Sequence, residues 1–403
     1  MRSARFLTNC LPCFLIALLI SGCYSALDPI PVRKGNLITI QKSEPLSNPN
    51  EPTLTIHWFG TSSYELRLDN ISVLTDPFVT YKDPDKVISI SRVPNKMTSD
   101  YREVLNRYGN IDPPTAIFIG HSHYDHMMDT VAALKLPNWR DIPVYGSQTT
   151  KHILAGYPKE LPHIPDGLCM GGEGGERAYN WSENWCLSVR SKYHEKEYDW
   201  IVIEPDLLSY QSFKATHAHQ FAGLTLWNKK LNKDLDKLPT ITHDFQVGKT
   251  YIHIFELKAP DREGYVSYKV AIVGAATGLD EFGLANKLKA YASKNDLDVL
   301  ILCVPGWENI KDKKYPGNLL KILKPRVIIL THYDNFFNED REKDPTRLVP
   351  SAKFNEFLNK LQKDIDGISG YDEFESILIP GVETTLYLNK PPSGVINVSW
   401  LSR

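Results

Sequence analysis

From Thr53 onward, apolar and polar positions alternate along the chain. Leu54, Ile56 and Trp58 recur at every second position, and Tyr64, Leu66 and Leu68 alternate with Glu65, Arg67 and Asp69. Ile71, Val73 and Leu74 resume directly after Asp69-Asn70. A period of two interrupted by a turn pair predicts short strands joined by tight turns. Residues 115–120, Thr-Ala-Ile-Phe-Ile-Gly, form a compact apolar run of the kind that fills a buried strand. Residues 127–136 offer helix formers and stop at Pro137, which predicts a helix there. Further strands are expected at 200–203, 266–273, 299–304 and 326–330, and helices at 320–323 and 354–361. The mixture lacks strict βαβ alternation, a fixed-period repeat or a second shift in composition. It predicts one α/β (α+β) domain over residues 53–403.

The first 52 residues depart from this pattern. Arg2 and Arg5 precede a short apolar stretch at 14–20, followed by Ser21, Gly22 and Cys23. A basic start, a brief apolar core and small residues describe an export signal. The stretch is well short of the roughly twenty residues that a spanning helix needs. Ile20-Ser21-Gly22-Cys23 resembles the bacterial lipoprotein processing box, which implies a signal peptide at 1–22 and a lipidated Cys23. A plain secretory signal or an uncleaved short anchor is the alternative. Tyr24 stands where inner-membrane retention signals usually carry Asp, so the expected location is the cell envelope, with the outer membrane favoured. Five prolines between 24 and 52 read as a tether from lipid to folded body.

Composition narrows the partners. The 403 residues are 42% hydrophobic and 23% charged, enough apolar material for a sizeable core. A net charge of −2 with no long basic run sets nucleic acid aside. After processing, Cys169, Cys186 and Cys303 remain beside Cys23, so at most one intrachain disulfide can form. Cys169 and Cys186 are the candidates, while Cys303, inside an apolar run, reads as a buried inert thiol. Oligomeric state is left open.

The densest chemistry is His121-Ser122-His123-Tyr124-Asp125-His126, directly after the 115–120 strand. Imidazole and carboxylate groups are rarely buried without partners, and borderline divalent metals take this nitrogen and oxygen set. In an extended turn His121 and His123 point to one side, and Asp125 and His126, opening the next helix, face a second position nearby. The bland reading is an exposed His-rich loop that binds metal only adventitiously.

This segment resembles the HxHxDH motif of the metallo-β-lactamase superfamily. Upstream, Trp58-Phe59-Gly60-Thr61-Ser62-Ser63-Tyr64 and Leu74-Thr75-Asp76-Pro77-Phe78 look like the branch that contains N-acyl-phosphatidylethanolamine-hydrolysing phospholipase D and ascorbate-6-phosphate lactonase. The resemblance covers roughly residues 53 to 340 and implies a four-layer αββα metallo-β-lactamase sandwich. It implies a further histidine from Ala215-Thr216-His217-Ala218-His219. His219 is preferred because Gly223 lies a few residues beyond, with His217 as the alternative ligand. It implies His332 at the end of a late strand, and Asp76 as a carboxylate supporting the ligands from behind. One expected residue is missing: Ala276, in Gly274-Ala275-Ala276-Thr277-Gly278, occupies the place of a bridging aspartate, with Asp280 as a possible substitute. His57, His152, His163, His194, His243 and His253 have no comparable setting and read as core or surface histidines.

The expected activity is hydrolysis by a metal-bound hydroxide. His121, His123 and His219 would hold one ion, and Asp125, His126 and His332 a second, with Asp125 also orienting the attacking water. Zinc is the default, as one or two ions, and Mn, Fe or Ni would accept the same ligands. The branch implies a phosphodiester, ester or lactone substrate, a small molecule or lipid-like, and a lipid-linked one suits a tethered enzyme. Two rival classes stand beside this reading. One is a catalytically silent metal-binding lipoprotein. The other is an envelope scaffold whose insertions near 79–110 and 165–210 use Tyr81, Tyr101, Tyr108, Tyr179, Trp181, Trp185 and Trp200 to bind a partner.

Overall fold

The computed structural model describes residues 37–39, 52–81, 98–157, 200–220, 225–237, 239–261, 264–337, 348–349, 352–390 and 396–402. The export signal, Cys23, nearly all of the tether, Cys169, Cys186, Tyr179, Trp181, Trp185, His163, His194 and Gly223 lie outside the described residues. In chain order the strands are β1 (Leu37–Thr39), β2 (Leu54–Gly60), β3 (Ser63–Leu68), β4 (Ile71–Thr75), β5 (Ala116–Phe118), β6 (Val144–Tyr145), β7 (Ile201–Glu204) and β8 (Leu208–Ala215). They continue with β9 (Thr250–Asp261), β10 (Gly264–Val273), β11 (Val299–Cys303), β12 (Val327–Thr331), β13 (Ser376–Ile379), β14 (Thr384–Asn389) and β15 (Asn397–Ser402). The helices are α1 (Tyr101–Tyr108), α2 (Tyr124–Met127), α3 (Thr130–Ala133), α4 (Gln148–Leu154), α5 (Leu284–Ala292), α6 (Gly317–Leu323) and α7 (Phe354–Asp366).

Among the described residues two sheets form. One runs β15-β14-β2-β3-β4-β5-β6 and the other β1-β13-β12-β11-β10-β9-β8-β7. The alternating segment after Thr53 becomes the antiparallel meander β2-β3-β4, and β5 then adds in parallel to β4. The sheets pack face to face. Phe118 of β5 meets Phe255 of β9 at 4.7 Å and Tyr210 of β8 at 4.8 Å between ring centroids. Helices cover both outer faces. Tyr108 of α1 packs edge-on against Phe59 of β2, and Tyr291 of α5 packs against Phe213 of β8. The result is the expected four-layer αββα sandwich. With a helix layer on one side and a sheet on the other, every residue of β11 and β12 is buried, as near-continuous apolar runs demand of parallel strands.

The expected helix at 127–136 is instead split into α2 and α3 around Asp129. That carboxylate is fully buried and accepts hydrogen bonds from Val79 N, Thr80 N, Thr80 Oγ1 and Ser99 Oγ. A continuous helix would leave those donors without this acceptor. No described helix is long and apolar enough to cross a membrane.

Candidate metal centre

Strand ends deliver the site. β5 stops at Phe118, and the following backbone is tied on both sides: Tyr251 N donates to Gly120 O at 2.9 Å, and Ser122 N to Val247 O at 3.1 Å. Ser122 Oγ lies 2.8 Å from Thr150 Oγ1, part of the capping box that opens α4. The loop bearing His121 and His123 is thereby held between one helix cap and the start of β9. β4 leads to Asp76, β8 to His217, and β12 to His332, whose backbone N donates to Thr61 O at 3.0 Å. Asp76 and His332 have positive φ, 42° and 64°. Such backbone is strained for a side-chain-bearing residue and is kept only where surrounding contacts impose it.

Glycine makes room for the supporting carboxylate. Asp76 Oδ1 accepts from Gly120 N at 2.6 Å, and a Cβ at Gly120 would stand 3.2 Å from Asp76 Oδ2. That same Oδ2 lies 2.9 Å from His126 Nδ1.

The ring protons follow from these partners. A carbonyl or carboxylate only accepts, so His126 Nδ1 donates to Asp76. His123 Nε2 donates to Leu226 O at 3.1 Å and His217 Nδ1 to Ala218 O at 2.7 Å. Each ring then turns its remaining nitrogen inward with a free lone pair. His123 Nδ1 stands 3.1 Å from His121 Nε2, and His126 Nε2 stands 3.3 Å from His332 Nε2. Asp125 Oδ2 is 3.4 Å from His332 Nε2 and 3.8 Å from His126 Nε2. Two donor trios result, His121 with His123 and His217, and Asp125 with His126 and His332. Within each trio the ligand atoms all lie within 4.8 Å of one another.

Electrostatics match this arrangement. Burial, followed by the neighbouring imidazoles, holds His121 well below the usual histidine range. Burial and then His217 lower His123 to about 3, and burial lowers His217 to about 4. All three are neutral lone-pair donors at neutral pH. Burial alone would lower His126 and raise Asp125, but their mutual pairing reverses both effects. Asp76 and Asp125 raise His126, and His126 and His332 hold Asp125 well below the ordinary carboxylate value. Inward lone pairs at close range, fixed from behind by carbonyls and a carboxylate, fit a divalent cation such as zinc. His121 Nδ1 and His332 Nδ1 are buried without hydrogen-bond partners.

Most of the sequence-predicted residues converge here: His121, His123, Asp125, His126, His332 and Asp76. The preference for His219 over His217 is corrected. Ala218 N donates to Ala276 O at 2.9 Å, which pins the end of the β8 strand so that the His217 ring stands 4.6 Å from His121 and 4.9 Å from His123. His219 belongs to neither trio; its Nδ1 lies 3.3 Å from Thr225 Oγ1, and its carbonyl accepts from Asn309 Nδ2 at 2.8 Å. Asp280 is exposed and lines, with Lys214 and Lys249, a neighbouring cavity that also reaches His217; it belongs to neither trio, so it does not stand in for the missing carboxylate. Of the remaining described histidines, His57 bonds Thr385 and Glu383, His152 bonds Asp234, His253 is core and His243 is exposed.

Sequence reasoning missed the walls. A cavity of about 240 Å³ opens on Asp125, His217 and His332 and is lined by Tyr124, Trp227 and Phe336. Cys303 and Ala276 line it as well. For Cys303 a signal was available: it ends an apolar strand parallel to the one that leads to Gly274, and such strand ends are where α/β sheets place ligands.

No family model matches the chain. The UPF0173 metal-dependent hydrolase of Lawsonia intracellularis is 30% identical over 118 residues, which are 29% of this chain and 43% of that protein. The match thus spans less than half of the relative's length. Igni18, a metallo hydrolase from the archaeon Ignicoccus hospitalis, is similar in structure at a TM-score of 0.43 and 16% identity, over 83% of this chain and 98% of that one. The isothiocyanate hydrolase from Delia radicum gut bacteria gives 0.41 and 12% identity, over 82% and 98%. CmlA, a diiron β-hydroxylase from Streptomyces venezuelae, gives 0.43 and 12%, over 85% and 55%.

Proposed function

We propose that the chain is a metal-dependent hydrolase whose ions are held by His121, His123 and His217 and by Asp125, His126 and His332. The observation that carries this reading is the pair of donor trios opening on one cavity. The name of the Lawsonia relative supports it. A divalent ion held there supplies a Lewis acid and lowers the pKa of water, giving a nucleophile at neutral pH.

The chain's own residues do the rest. Asp125 stays ionised beside His126 and His332, so it accepts a hydrogen bond from an incoming water and turns its oxygen toward the substrate. Asp76 keeps the His126 proton on Nδ1, leaving Nε2 free to ligate. Tyr124, Trp227 and Phe336 exclude bulk water from one side and receive an apolar part of the substrate. That chemistry favours a phosphodiester, ester or lactone with an apolar or lipid-like group over nucleic acid. Zinc is the metal that the nitrogen-rich set favours. A lipid anchor at Cys23, holding the enzyme at a bacterial envelope membrane with the outer membrane favoured, completes the proposal.

The test is metal content and hydrolysis together. The purified chain is expected to hold about two equivalents of metal and to cleave a chromogenic phosphodiester or ester. His123→Ala should abolish turnover with loss of metal. No bound metal under any loading condition overturns the reading and leaves a scaffold; bound metal without turnover on either substrate leaves a silent metal-binding protein.

A further inference from the structure

A second cavity adjoins the metal site. It holds about 380 Å³, and His217, Ala218, His219 and Asn309 line both it and the cavity that opens on Asp125 and His332. Asn309 Nδ2 donates to His219 O at 2.8 Å, which ties this shared wall together. Four lysines reach the second cavity from four separate segments. Lys214 comes from β8, Lys249 from the residue before β9, Lys230 from the loop beyond Trp227, and Lys311 from the loop after β11. Among the described residues three carboxylates line it with them, Asp280, Glu281 and Asp312. The excess is cationic, in a chain whose net charge is −2.

Depth separates the two signs. Lys214 and Lys249 are half-buried and flank the Ala215–Thr250 pair of the β8–β9 ladder. Asp280 and Glu281 are exposed on the turn before α5, and Asp312 Oδ1 already accepts from Lys314 N at 3.0 Å. Lys214 Nζ stands 3.5 Å from the ring centroid of Phe282, another lining residue. A ring steadies an ammonium without cancelling its charge, as a carboxylate would. Phe282 is 42% exposed and has a φ of 58°, a conformation that bulky side chains rarely adopt. Strain on a ring that buries so little of itself is kept for where it holds its neighbour. Half-buried ammonium groups in a cavity favour an anion, through charge-assisted hydrogen bonds.

We propose that Lys214 and Lys249 bind an acidic group of the substrate, a carboxylate or a phosphate, that takes no part in the bond cleavage. The assignment rests on the hydrolase reading above and narrows its substrate class to phosphodiesters, esters or lactones with an acidic end. The reacting bond lies over the trios, the acidic end passes His217 into the lysine cavity, and the apolar part lies against Tyr124, Trp227 and Phe336. A remote group held equally in ground and transition states acts on KM and not on kcat.

The experiment uses the full chain in non-ionic detergent, loaded with zinc, on matched chromogenic substrates. p-Nitrophenyl hexanoate carries a methyl end; its partners of similar length carry a carboxylate or a phosphate end, and a parallel set uses p-nitrophenyl phosphodiesters. The expected kcat/KM favours an acid-ended member by about tenfold, through KM. Lys214→Gln/Lys249→Gln should erase that preference. Lys214→Glu/Lys249→Glu should invert it, in favour of an amino-ended analogue, which a misfolded chain cannot do. Equal kcat/KM for acid-ended and methyl-ended members, or a preference that survives both double substitutions, overturns this assignment and leaves the hydrolase reading standing. If neither variant folds, added salt decides on the unaltered chain: screening should shrink the preference, and a preference independent of salt overturns the assignment. No cleavage of any member of either set overturns the hydrolase reading and this assignment together.

Discussion

His217 and His219 are two residues apart, and the structure separates them by what holds each ring. His217 is locked by its own hydrogen bond to Ala218 O and stands against His121 and His123, while His219 lies beside Thr225, lines both cavities and joins neither trio. His217→Ala should lower the metal content by about one equivalent, because removing one of three protein ligands opens the site. His219→Ala should leave it unchanged. Atomic absorption on the two variants checks this, and the reverse pattern would return the ligand role to His219. The HxHxDH run was readable because its donors are adjacent in sequence. The choice between His217 and His219 was not, because it depends on how Ala218 N meets Ala276 O, a contact between segments 58 positions apart by the difference 276 − 218.

At the scale of elements, strands were more legible than helices. Period-two alternation marked β2, β3 and β4, and apolar runs marked β5, β11 and β12, since strand geometry imposes those patterns locally. The break between α2 and α3 was hidden, because Asp129 serves donors on Val79, Thr80 and Ser99, far from it in sequence. This carboxylate anchors both ends of the segment entering and leaving residues 82–97, directly behind the helix that bears Asp125 and His126. Asp129→Ala would leave several buried donors without an acceptor, each costing about 1–3 kcal/mol. The expected loss is at least about 3 kcal/mol in denaturant unfolding on that scale. A loss below about 1 kcal/mol would mean that water replaces the carboxylate. Asp129→Asn, which keeps one acceptor oxygen, should fall between the variant and the parent.

At the scale of the whole molecule, the two sheets meet over a core that includes one ionisable ring from β9. His253 packs against Phe118 and Phe255, places Nδ1 2.7 Å from Ser212 Oγ and directs Nε2 to Ile119 O at 3.3 Å. Burial lowers it from 6.5 to about 4. The unfolded chain therefore binds a proton that the folded chain refuses between those two values. Stability from this residue is fully present above about pH 6.5 and is lost as pH falls toward 4, approaching about 3 kcal/mol at 1.36 kcal/mol per unit. Metal-free protein is the right sample for both chains, because bound metal would add its own pH dependence through the ligand histidines. Urea unfolding from pH 7.5 to 4.5 should show wild-type stability falling more steeply than that of His253→Gln, by close to one proton in the slope. Parallel slopes would mean that the sheets part enough to hydrate His253 when it is charged, so that the inter-sheet core opens before the protein unfolds.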